Sequence, residues 1–188
     1  SLFYDGRLLL KPSRIALHTD LPEADHWENI RITGTKQRHV SETVQAPFYR
    51  VKEFGIDCNE LELRLNNGFS LLMRAYNDGM AYRFVAGRKG EMTVVGERAE
   101  FNFADDFEAY IPYSTNPKDP WNMAFQNFYT KAPLTQYNTE LPAFLPLTVD
   151  AGAVKLTLLE SDLEAYPGML VRGDGKTPAL KGVFAAYP

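Results

Sequence analysis

The stretch "NELELRLNNGFSLLMRAY", residues 59–76, decides the fold. Leu61, Leu63 and Leu65 alternate with Glu60, Glu62 and Arg64, the period of two that sends successive side chains to opposite faces of a strand. Asn66-Asn67-Gly68 interrupts the alternation with residues that accept the positive φ angles of a tight turn. Apolar residues resume at Phe69 and run to Tyr76, so the stretch reads as a β-hairpin with its leucines turned to a core. Asn77-Asp78-Gly79 then turns the chain into "MAYRFVA". Near the start, Asp5-Gly6, the dipeptide of type I′ hairpins, sits between the short strands of "LFYDGRLLL".

"EMTVVG", "AEFNFA", "FEAYIP", "FLPLTVD" and "AVKLTLLE" continue the pattern at intervals suited to antiparallel sheets. The expectation is a mainly β fold, a large antiparallel two-sheet β-sandwich that occupies residues 1–188 as a single domain. Its predicted core includes Leu61, Leu63, Leu65, Val154, Leu156 and Leu158. Short helical pieces are expected only at residues 23–27 and in the turn after Glu160, while residues 113–142, rich in Pro, Asn, Tyr and Trp, read as long irregular connections.

A chain of 188 residues, 45% hydrophobic and 13% aromatic, is ample for a sizeable core. Its net charge of -4, with 20 scattered Lys and Arg residues, argues against a nucleic-acid partner, which calls for a basic patch. A single cysteine, Cys58, excludes an internal disulfide framework and reads as a small buried hydrophobe. No run of 18 apolar residues predicts a membrane span, and no basic start with an apolar core predicts a signal peptide. The two ends, "SLFYDG" and "FAAYP", read as cut from a longer exported chain.

The nucleophile motif G-x-S-x-G, the P-loop, the dinucleotide fingerprint, H-E-x-x-H and paired C-x-x-C are all missing from the sequence. His18, His26 and His39 lie at spacings that match no compact zinc motif, and they read as solvated or hydrogen-bonded side chains. In "MRAYNDGMAYRF", Arg74, Asn77, Asp78 and Arg83 suit a grip on sugar. The plainer reading is a turn, with Arg74 and Arg83 facing each other across the hairpin. "WNMAFQNFY", residues 121–129, is dense in large apolar residues, and reads as packed against the sandwich or against a further domain.

Glu160 is the residue that breaks the pattern. Val154, Leu156 and Leu158 share one face of the last strong strand, and Glu160 continues their parity. A carboxylate turned toward a buried face must be paired, protonated, exposed at a sheet edge or bound to a metal. Glu160, Asp162 and Glu164 do not match an EF-hand loop, and the residues alone leave those four readings open.

The order "NELELRL", "LLMRAYNDGMAYRF", "FYTKAPL", "PLTV" and "LLESDLEAYPGML" resembles the N-terminal domain of glycoside hydrolase family 97, over almost the whole chain. The resemblance implies a sandwich related to the galactose mutarotase-like (supersandwich) fold. It also implies a periplasmic or otherwise exported α-glucosidase or α-galactosidase, whose catalytic (β/α)₈ barrel follows in the same chain and acts on an α-linked oligosaccharide. It further implies an active-site Ca²⁺ to which the sandwich gives one glutamate, at the motif position of Glu160, with Asp162 and Tyr166 supporting the turn that aims it. The general acid and the base or nucleophile would lie beyond residue 188. Two rivals remain. A free-standing mutarotase-like epimerase would need a histidine to converge with a carboxylate on the sugar. A carbohydrate-binding module would use the aromatic side chains near Trp121.

Overall fold

The computed structural model describes residues 1–87, 89–122, 127–161, 163 and 166–185. Asp162 and Glu164, and the middle of the aromatic stretch with Met123 and Phe125, lie outside the described residues. In chain order the strands are β1 (Leu2–Tyr4), β2 (Arg7–Leu10), β3 (Ile15–Thr19), β4 (Ile32–Gln45), β5 (Glu53–Leu65), β6 (Phe69–Ala75), β7 (Met80–Ala86), β8 (Val94–Asn102), β9 (Glu108–Ile111), β10 (Thr130–Pro133), β11 (Leu147–Asp150), β12 (Lys155–Leu158), β13 (Met169–Gly173) and β14 (Ala179–Phe184). Two short 3-10 turns, Trp27–Asn29 and Leu134–Gln136, are the only helical elements among the described residues. Among the described residues, no helix is long and apolar enough to cross a membrane.

The mainly β, antiparallel class holds. The chain divides into two compact units, Ser1–His18 with Val95–Pro188, and Thr19–Val94. In the first, a sheet of order β10-β9-β11-β12 and a sheet of order β13-β14-β8-β3 supply one core. Ala109, Ile111, Leu147, Val149 and Leu158 enter it from the former sheet, and Ala99, Val171 and Leu180 from the latter. Each inward residue lies two positions from the next, which is why Val149 and Leu147, or Ile111 and Ala109, bury side by side. Leu156 packs against this cluster and Leu158 belongs to it.

At Gly173 the ring of Tyr137 crosses so closely that a Cβ would lie 2.6 Å from its Cγ. The Tyr137 hydroxyl donates to the Val171 carbonyl at 2.8 Å, which pins that crossing. β1 and β2 form a separate ribbon around Asp5 and Gly6, whose φ angles of 48° and 73° are those the hairpin dipeptide predicts.

The second unit holds the sheet β4-β5-β6-β7. Leu65 and Phe69 are buried, and Trp27 packs on Phe69 and Phe84 with ring centroids 6.0 and 5.2 Å apart. Asn67, also buried, donates through Nδ2 to the Ala24 carbonyl at 3.1 Å, and so ties the β5–β6 turn to the segment before Trp27. Of the three turn residues only Gly68 has positive φ, 84°.

The sequence expectations need correction in four places. Leu61, Leu63 and Val154 are half-buried where full burial was expected. The register sets Arg74 opposite Ala81 and Arg83 opposite Leu72, so the two arginines do not face each other. Residues 23–26 carry no helix, and the 3-10 turn begins only at Trp27 and runs to Asn29. β4, the longest strand, was not foreseen, because Ile32–Gln45 is polar on both faces for much of its length.

Candidate functional site

β12 ends at Leu158, and the next two residues divide as their parity dictates: Leu159 is exposed and Glu160 is half-buried. The chain returns through Pro167-Gly168 into β13, the edge strand of its sheet. An edge strand presents every second N–H outward, and each needs a partner. Val171 exchanges hydrogen bonds with Ala143, donating at 2.9 Å. Met169, two residues earlier and so on the same edge, donates its N–H to both carboxylate oxygens of Glu160, each at 2.9 Å. The carboxylate thus caps an edge amide that the ladder leaves over.

A second carboxylate stands nearby. Glu97 on β8 accepts a 2.6 Å hydrogen bond from the Tyr166 hydroxyl, and the Tyr166 ring meets Phe184 edge-on at 6.2 Å. Phe184 is the register partner of Met169, which links Tyr166 to the strand that Glu160 caps. Burial raises the Glu97 carboxyl above its ordinary range, and the Tyr166 bond only partly opposes it. Burial likewise raises Glu160, the Met169 N–H opposes, and the charge of Glu97 adds to the rise. The two carboxyl groups lie near enough for the charge of Glu97 to raise Glu160. Such a pair gains from a cation.

The donor chemistry fits a hard cation, because carboxylate oxygens are what calcium takes. The number does not suffice: two carboxylates supply four oxygens at most, against the six to eight of a calcium shell. Among the described residues, no group of three or more His, Cys, Asp and Glu side chains is gathered as a metal site. Glu160 is where its parity predicted. Tyr166 contacts Glu97, a residue the sequence reading passed over although a signal was present. Glu97 shares the parity of Ala99 and Phe101, the same inward-facing pattern that singled out Glu160.

The other sequence candidates are used differently. Arg74 donates from Nε to Glu60 Oε2 at 2.8 Å, and Arg38 on β4 donates from Nε to Oε1 at 2.5 Å. The register places Arg38, Glu60 and Arg74 in one row across three strands. Glu60 is only 6% exposed, on the face it shares with buried Val40 and Cys58, and both guanidiniums bond to it there. The pair holds its carboxyl down at about 2, Arg38 foremost. His26 Nδ1 pairs with the Pro22 carbonyl at 3.2 Å, and His39 Nδ1 with Asn59 Oδ1 at 3.4 Å. In the aromatic stretch, Phe128 is 93% exposed and Trp121 and Tyr129 are partly so. Of the two expectations for that stretch, packing against the sandwich or against a further domain, the first is not met at Phe128.

The chain is 39% identical over 98% of its length to the retaining alpha-galactosidase of Bacteroides thetaiotaomicron, of which it covers 28%. It is 28% identical over 70% of its length to a probable retaining alpha-galactosidase of Streptomyces bingchenggensis, of which it covers 21%. The chain therefore spans under a third of the curated relatives it matches. A glycoside hydrolase family 97 enzyme from Pseudoalteromonas sp. strain K8, solved with acarbose, superposes with a TM-score of 0.76 at 16% identity, over 95% of this chain and 27% of that one. A beta-arabinopyranosidase superposes at 0.79 and 18%, over 97% and 31%. At those identities the two structures speak for the fold alone. The profile of the Glycosyl-hydrolase 97 N-terminal family matches residues 1–187, and the chain belongs to that family.

Proposed function

We propose that the chain is the accessory N-terminal part of a calcium-dependent, exo-acting α-glycosidase, with an α-galactoside as its substrate. The observation that carries this reading is the 39% identity, along nearly the whole chain, to a retaining alpha-galactosidase. On this reading a catalytic (β/α)₈ barrel follows residue 188 in an exported polypeptide. The sandwich packs on that barrel, and Glu160 gives one oxygen ligand to a calcium ion at the active site.

The local chemistry supports that role. Met169 fixes the direction of the Glu160 carboxylate by one shared N–H, which leaves lone pairs on both oxygens. Glu97, oriented by Tyr166, keeps a second negative charge at hand. Calcium bound there would stabilise developing negative charge and orient the barrel's carboxylates beside the glycosidic oxygen. The two carboxyl groups that cleave a glycoside then belong to the barrel, and the segment alone does not turn over.

The full-length polypeptide should hydrolyse p-nitrophenyl α-galactopyranoside in preference to the α-glucopyranoside. A full-length protein with no glycosidase activity would overturn the reading. An α-glucoside preference would leave the family and change the substrate.

A further inference from the structure

The β4–β5 hairpin is longer than the sheet it belongs to. β6 pairs only with the Asn59–Arg64 part of β5, and β4 is the edge strand. Six cross-strand pairs, from Val40↔Cys58 to Gln45↔Glu53, therefore continue as a two-stranded arm, about 20 Å long at strand rise. The arm has two unlike faces. Ser41, Thr43, Gln45, Glu53 and Asp57 make one of them polar, while Val40, Val44, Phe54, Ile56 and Cys58 make the other apolar, with Glu42 its one charge. Along the apolar face burial fades outward: Val40 and Cys58 are buried, Ile56 is half-buried, and Val44 and Phe54 are exposed. The loop at the tip adds Tyr49, Val51 and Phe48, the last 97% exposed.

A two-stranded ribbon is marginal in water by itself, and a cluster of exposed large apolar side chains marks an interaction site. Several polar groups of the tip are bonded within it. Ala46 donates to the Lys52 carbonyl, Tyr49 to the Ala46 carbonyl, Lys52 Nζ to the Pro47 carbonyl, and Gln45 to Glu53. These bonds order the loop, which offers outward Phe48, Tyr49 and Val51 together with the exposed Arg50 and Lys52.

We infer that the arm docks through Val44, Phe48, Tyr49, Val51 and Phe54 into an apolar recess of the catalytic portion of the same polypeptide. The inference rests on the reading above, in which that portion follows residue 188. Two observations select this occupant. The chain covers only 28% of its α-galactosidase relative, so such a polypeptide carries ample surface outside this segment. A second copy of the chain fits poorly, because a stable interface between separate molecules takes about 800 Å² per partner, more than five side chains at a hairpin tip provide. A tethered partner escapes that requirement, since the linker supplies an effective concentration in about the millimolar range.

Photo-cross-linking of the full-length polypeptide tests this. With Phe48→p-benzoylphenylalanine, irradiation should join position 48 to a peptide C-terminal to residue 188 within one molecule. The yield should be at least about tenfold above that of an Ile32→p-benzoylphenylalanine control, exposed at the other end of β4, the ratio set by a docked state favoured by about 1.4 kcal/mol. Intermolecular products, products confined to residues 1–188, or a yield no greater than the control would each overturn the inference. Hydrolysis of the α-galactoside, measured on the same samples, separates the two failures. An active enzyme without the cross-link refutes the arm alone, whereas an inactive polypeptide without a barrel refutes both.

Discussion

Glu60 and Glu160 are both carboxylates on strands that read as alternating, and the fold treats them in opposite ways. Glu60 is covered by Arg38 and Arg74, takes a hydrogen bond on each oxygen, and has its carboxyl held down at about 2. Glu160 shares one backbone N–H between its oxygens, stands near Glu97, and is raised by burial. The first charge is neutralised inside the chain, so its role is to join three strands. The second has a like charge, Glu97, as its neighbour, a cost to stability that a cation would relieve. On the proposed function, the structural and the functional carboxylate differ in what each is given as a partner.

The largest effect expected is at Glu60. Glu60→Gln removes the charge between two arginines and should destabilise the chain by about 1–3 kcal/mol in urea melts, toward the low end because Arg38 is 56% exposed and screened. A change below about 0.5 kcal/mol would make Glu60 no more structural than a surface residue. The pH dependence has a definite sign. The folded-state value lies below the ordinary 4.5, so the contribution of Glu60 is present above that pH and lost as pH falls toward about 2. Acid melts of Glu60→Gln should lack that part of the loss.

Next comes Tyr166→Phe, which deletes the hydrogen bond to Glu97 and should cost about 0.5–1.5 kcal/mol. It should also raise the Glu97 carboxyl further, as seen by carboxyl-resolved NMR titration. An unchanged titration would detach Tyr166 from Glu97. The smallest effect is at Glu160 itself. Glu160→Gln keeps an acceptor for Met169 and removes a charge whose carboxyl the fold raises, so without calcium near neutral pH stability should shift by no more than about 0.5 kcal/mol, upward if at all. A large destabilisation would move Glu160 into the structural class of Glu60.

Much of this was legible in the sequence. The period of two around Leu61, the apolar parity that buries Leu158, and the positive φ at Asp5-Gly6 are local features, and local steric rules decide them. β4 was not legible, because its register against β5 is set by backbone pairing and most of its length carries no apolar alternation. That omission hid Arg38, which is 22 residues from Glu60 in the chain and adjacent to it across the sheet. The division into two units was hidden for the same reason. Glu160 announced itself by parity, and Glu97 did so equally, at a position read as the boundary of two short strands where one long β8 runs.

The central claim is that Glu160 is held ready for a cation that the rest of the polypeptide helps to bind. Calcium titration of the full-length protein by calorimetry, wild type against Glu160→Gln, tests it most directly. The expected result is a Kd raised about tenfold or more, with an unchanged Tm in the calcium-free state. Equal affinity in the two proteins would contradict the claim, and would leave the carboxylate as a cap for Met169 and nothing more.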